Sequence, residues 1–79
     1  MERKEVFSKV IDIFKEVFDD EDLVITDETN ADDIEDWDSL AQITLISEME
    51  KTFCVRFNMQ DVIALQNVGD MIDLIVRLL

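Results

Sequence analysis

The chain has almost nothing with which to turn sharply: its 79 residues contain no proline and one glycine, Gly69. Tight hairpins rely on glycine, proline and paired turn residues such as Asn-Gly. A meander of short strands is therefore disfavoured, and helices joined by longer connections remain. The apolar pattern agrees. Phe7, Val10, Ile11, Phe14 and Phe18 fall on one face of a 3.6-residue period, which predicts a first helix over about residues 3–18.

The period then stops. In DDEDLVITDETNADDIEDWD, Leu23, Ile25 and Ile34 stand alone, so residues 19–38 are expected to form a long acidic loop pinned to the core at those points. From Ser39 the period resumes, with Leu40, Ile43, Ile46, Met49 and Phe53 on one stripe and Leu45 beside it, giving a second helix over about 39–53. Asn58 is placed to cap a short helix over about 59–65 carrying Val62, Ile63 and Leu65. Asn67 is placed to cap a last helix over about 68–79 with Val68, Met71, Ile72, Ile75 and Leu79. Val55-Arg56-Phe57 has strand-like letters, but a lone strand would leave its backbone groups unpaired, so it is expected to be an extended connector. The expectation is a single all-α domain over 1–79, a four-helix bundle with three long helices, one short one and a long first loop.

The formal charge is −13, and 15 of the 20 acidic side chains lie in residues 1–38. Such a surface repels nucleic acid and anionic membranes, so partners should be proteins with basic patches. No apolar run approaches the roughly 18 residues of a membrane span. One cysteine and no histidine exclude an internal disulfide and the usual zinc sets of about four ligands. A cytoplasmic monomer without a dedicated metal site is expected. The acidic loop lacks the central glycine of a calcium-binding loop.

Catalysis is constrained as strongly. Without histidine, neither Ser39 nor Cys54 has the usual activating base, so the chain is not expected to be an enzyme. If Ser39 reacts, another protein supplies the base or metal. Cys54, after Phe53, is expected to be a small, partly buried packing residue. In DDIEDWDSLAQI, five carboxylates surround Trp37 and Ser39. Ser39 and Gln42 have the spacing of a reciprocal capping box, and Trp37 is expected to anchor the loop with its ring.

The combination DWDSLAQITLISEMEKTFCVRF and FNMQDVIALQNVGDMIDLI resembles the acyl carrier proteins over nearly the whole chain. Asp38-Ser39-Leu40, the second-helix stripe ending in Glu50 and Phe53, and Val68-Gly69-Asp70 all stand at the family's spacing. The resemblance implies that Ser39 carries 4′-phosphopantetheine, attached from coenzyme A by a phosphopantetheinyl transferase using Mg2+, and that the arm's thiol holds acyl cargo as a thioester. It implies that Asp38 and Leu40 help the transferase read the site. Asp36, Trp37, Ile43 and Glu50 would contribute to recognition by acyl- or aminoacyl-loading and acyl-transferring enzymes. Asp36 replaces a frequent family glycine, Trp37 a small residue, and Thr44 an acidic residue common in carriers of central fatty acid synthesis; Lys51 also departs from that pattern. These departures point to a freestanding carrier of a specialised pathway making a secondary metabolite, surface polymer or modified lipid. An aminoacyl or peptidyl carrier, or a noncovalent acidic interaction module, is the alternative.

Overall fold

A computed structural model describes all 79 residues and contains four helices and no strands. They are α1 (Arg3–Val17), α2 (Ser39–Phe53), α3 (Met59–Ala64) and α4 (Val68–Leu78). Both α2 and α4 pack on α1, whose Val6, Val10, Ile13 and Phe14 are buried. Leu45, Met49 and Phe53 of α2 and Val68, Met71, Ile72 and Ile75 of α4 complete the helical core. From the loop, Ile25 and Ile34 are buried and Leu23 packs at the edge, as their isolated apolar positions predict. Short α3 buries no residue fully, and residues 55–57 belong to no helix or strand. No helix is long and apolar enough to cross a membrane.

The face of α2 differs from the expected stripe. Met49 and Phe53 of the expected stripe are buried and Ile46 is half-buried, but Leu40 and Ile43 are 73% and 66% exposed and Leu45, expected beside the stripe, points inward. Apolar residues occupy both sides of the first half of this helix, so periodicity alone misplaces its first turns. On α3, Ile63 also faces outward, and Leu79 lies past the end of α4 and is exposed.

The acidic loop is ordered by its own polar side chains. The Asp20 carboxylate accepts from Asp22 N–H, Asn30 Oδ1 from Asp32 N–H, and Asp33 from Asn30 N–H, at 2.9–3.0 Å. These local acceptors do the turning that glycine and proline would otherwise do. The loop also knits the start of α4. Val68 and Gly69 N–H donate to the carbonyls of Thr29 and Asp27, both at 2.8 Å, and Asp70 N–H donates to Asn67 Oδ1. Met71 N–H donates to the Asn67 carbonyl, so all four initial N–H groups of α4 are satisfied. Gly69 permits this approach, because an added Cβ would sit 3.0 Å from the Asp27 carbonyl oxygen. Arg3 binds Asp73 at 2.9 Å and Asp27 at 3.3 Å, clasping α1, loop and α4. Those hydrogen bonds, to Asp73 first and then Asp27, raise its pKa above the ordinary arginine value.

Scarcity of glycine leaves strain at two helix ends. Asp19 and Cys54 both take left-handed φ, 51° and 54°. After α1, Asp20 N–H reaches back to the Lys15 carbonyl; after α2, Val55 N–H reaches the Glu50 carbonyl. Both are the bonding pattern that usually ends on glycine. Cys54 is therefore an exposed turn residue and not the partly buried packing residue expected. The chain's need to reverse after Phe53 decides its environment. Cys54→Gly should stabilise the fold by about 0.5–1 kcal/mol, the cost of left-handed backbone less the added freedom of glycine when unfolded. Urea unfolding measures this, and a lowered midpoint would refute the strain.

Candidate functional site

Ser39 is the first residue of α2, and Asp38, not Ser39, is the N-cap. The Asp38 carboxylate accepts from Ala41 N–H at 2.8 Å, and its carbonyl accepts from Gln42 N–H at 2.9 Å. The capping box expected between Ser39 and Gln42 does not form. Two good capping residues stand side by side, and the ionised one makes the stronger bond near the positive end of the helix. Ser39 is exposed and its hydroxyl makes no hydrogen bond. The N–H groups of Ser39 and Leu40 also find no acceptor in the chain. The start of α4 is closed by the loop; the start of α2 is open.

Trp37 holds this open end in place. Its half-buried ring stands edge-on to Phe14 at a centroid distance of 5.2 Å and an interplanar angle of 79°. Phe18 lies 6.3 Å away and itself packs on Phe14 at 5.9 Å. The indole N–H donates to Gln42 Oε1 at 2.7 Å. Trp37 and Gln42 flank the cap at the positions where an apolar pair commonly staples a helix start; here a hydrogen bond joins them. Sequence reasoning placed Trp37 as an anchor but missed Gln42 as its partner, although the five-residue separation across an Asp-Ser cap carries that signal.

The remaining residues singled out from sequence fall in different places. Asp36 and Leu40 are exposed on either side of the cap, lining a shallow cleft with Phe18 and Thr44. Ile43 is exposed one turn farther along α2. Glu50 is elsewhere and otherwise engaged: its carboxylate accepts from Phe57 N–H at 2.8 Å and holds the connector after α2. A larger open groove of about 520 Å3 begins at Ser39 and runs between α2 and the α3–α4 link. Gln42, Ile43, Leu65, Gln66, Asn67 and Met71 line it. Leu65, Gln66, Asn67 and Met71 had no site role in the sequence, because only folding brings the α3–α4 link beside Ser39.

A covalent group fits here on geometric grounds. The hydroxyl is exposed and uncommitted, and the helix start beside it offers free N–H groups to a phosphoester oxygen. No base or metal cluster accompanies Ser39; no group of three metal-binding side chains occurs in the chain.

Residues 8–75 match the family described as "Phosphopantetheine attachment site". The chain is similar to the holo acyl carrier protein of Geobacter metallireducens, known from a solution NMR structure. The two share 38% identity and a TM-score of 0.87, over 92% of this chain and 84% of that one. No curated protein matches the sequence significantly.

Stability separates the two neighbours at the helix start. Asp38→Ala should cost about 1 kcal/mol through loss of the cap. Ser39→Ala should change stability by no more than a few tenths, since the hydroxyl holds nothing and alanine suits a helical position. Chemical unfolding of both variants checks this; a larger loss for Ser39→Ala would return the capping role to serine.

Proposed function

The chain belongs to the phosphopantetheine-attachment family of acyl carrier proteins, and we propose that Ser39 is the residue that bears its arm. The observation that carries this is the exposed, unbonded Ser39 hydroxyl at the first position of α2, held there by Asp38 and Trp37. Acyl carrier proteins are carriers, not enzymes, and their cofactor is covalent 4′-phosphopantetheine. When bound, the arm supplies a terminal thiol that holds acyl cargo as a thioester.

The residues of this chain have limited tasks. Ser39 Oγ would hold the arm through a phosphodiester, with 3′,5′-adenosine bisphosphate leaving coenzyme A and the transferase supplying Mg2+ and taking up the hydroxyl proton. Asp38 fixes the first turn, so the hydroxyl need not rearrange before reaction. Leu40, exposed beside it, offers the transferase an apolar contact, and Asp36 and Asp38 offer charges to basic partner residues.

The surface also supports a specialised pathway over central fatty acid synthesis. Residues 39–47 of α2 contain no carboxylate, and Leu40 and Ile43 stand exposed among them. A partner meeting this face would pair apolar surface with it and place basic groups toward the loop. Aminoacyl loading is separated from acyl loading by asking which class of ligase charges the arm-bearing chain.

The test of Ser39 is direct. Incubation of the arm-free chain with a permissive transferase, coenzyme A and Mg2+ should raise the intact mass by one arm. Ser39→Ala should show no gain while retaining its helical spectrum. No gain with several active transferases, or an undiminished gain in the variant, would overturn the assignment.

A further inference from the structure

We propose that the cleft on the α1 side of Ser39 seats a basic side chain of the transferase, so that the end of α1 belongs to the recognition surface. The inference rests on Ser39 being the attachment point and goes further, to the side from which the transferase approaches. Asp38 and Leu40, which adjoin the serine, line this cleft of about 310 Å3, and Val17, Phe18 and Asp19 bring the end of α1 to it. Asp36 borders it from the loop.

Its charge has no counterpart in the chain. Asp19, Asp36 and Asp38 are all exposed. None of them is in an ion pair: those of the chain join Arg3 to Asp27 and Asp73, Lys51 to Glu48, and Arg77 to Asp61. Lys15 stands one turn before Asp19 without pairing to it, and no further lysine or arginine occurs before Lys51. Asp38 spends one oxygen on the helix cap. The negative potential is otherwise left for a partner to neutralise. On α2 itself, residues 39–47 carry no carboxylate. A basic group reaching Ser39 therefore finds its counter-charges toward the loop and α1.

The rest of the lining is apolar: Val17 and Phe18 on α1, Leu40 and Ala41 on α2. Thr44 adds no charge, and its hydroxyl is turned back onto the Leu40 carbonyl at 3.1 Å. A lysine or arginine matches both features, because its methylene stem can lie on Phe18 and Leu40 while the cationic head stays among the carboxylates. A bare divalent ion matches worse. No three carboxylates of the chain converge where one ion could touch them, so the charges are spread around the cleft. An uncharged apolar ligand matches worse still, since it would strip water from the carboxylates and offer no donor in return.

The experiment measures arm installation by one transferase, with coenzyme A and Mg2+, on three forms of the full chain: unaltered, Asp19→Asn with Asp36→Asn, and Asp12→Asn with Glu28→Gln. The two double variants have equal net charge, and Asp12 and Glu28 are exposed residues outside the cleft. Asparagine suits the left-handed backbone of Asp19, so neither variant should melt below the unaltered chain. Neutralising the cleft should raise KM about fivefold or more at unchanged kcat and flatten the fall of kcat/KM with added NaCl, whereas the outside pair should move KM less than about twofold. Thr44→Lys, which brings a cation of the chain's own to the cleft, should raise KM as well. Failure of the unaltered chain to load, or loading of Ser39→Ala, would overturn the Ser39 assignment and the cleft with it. Normal loading with equal KM in the two double variants would overturn the cleft alone, as would an unmoved KM in Thr44→Lys. Carboxyl NMR shifts at Asp19 and Asp36 that saturate when Mg2+ is added to the chain by itself would identify a metal seat instead, and overturn it too.

Discussion

The edge-on contact between Trp37 and Phe14 is where a highly charged loop becomes part of a folded protein. Five carboxylates lie between Asp32 and Asp38, and their mutual repulsion opposes a fixed conformation. Exposed charges of this kind interact through water and salt, so each pair is worth less than about 1 kcal/mol. An aromatic pair contributes roughly 0.5–1.5 kcal/mol beyond the area it buries. Trp37 has two aromatic neighbours and a short hydrogen bond to Gln42. The ring opposes the repulsion and fastens the loop where it reaches α2. The direction of the first turn, the Asp38 cap and the exposure of Ser39 all follow from that arrival.

The two long helices whose starts meet the loop illustrate how one sequence treats a closed and an open end. At α4, loop carbonyls and Asn67 take every initial N–H, and a glycine admits the loop backbone to contact distance. At α2, Asp38 takes only what is needed to hold the turn, and the serine and its neighbouring N–H groups are left free. The first end is structural and the second is available for chemistry supplied from outside. Under the proposal that Ser39 bears the arm, that division leaves the serine reachable while the domain around it stays folded.

The all-helical class was legible because α1 and α4 each bury one clear face, and because the composition leaves few other ways to pair backbone groups. Asn58 and Asn67 were legible as caps because no competing cap adjoins either. The second half of the α2 face was legible in Met49 and Phe53; its first half was not, since Leu40 and Ile43 continue the apolar pattern where the core does not use it. The cap at α2 was not, since Asp38 and Ser39 compete at adjacent positions and only the three-dimensional path of the loop decides between them. Cys54 was misplaced because its left-handed turn answers a demand of tertiary topology that a cysteine does not advertise. Ser39 stood out by family resemblance; the structure adds that its hydroxyl holds nothing in the fold. The groove that Gln42 shares with Gln66 and Asn67 joins residues more than twenty positions apart, a relation no local pattern carries.

Trp37 fastens the loop to the core beside Ser39 through Phe14 and Gln42. The most direct measurement is kcat/KM for arm installation on Trp37→Phe and Trp37→Ala, at a temperature where circular dichroism shows both folded. Phenylalanine retains an aromatic contact and loses the bond to Gln42, so a reduction of a few fold is predicted, whereas alanine should lose tenfold or more, equivalent to about 1.4 kcal/mol. Installation on Trp37→Ala at the unaltered rate, with the domain folded, would show that the ring does not govern how Ser39 is presented.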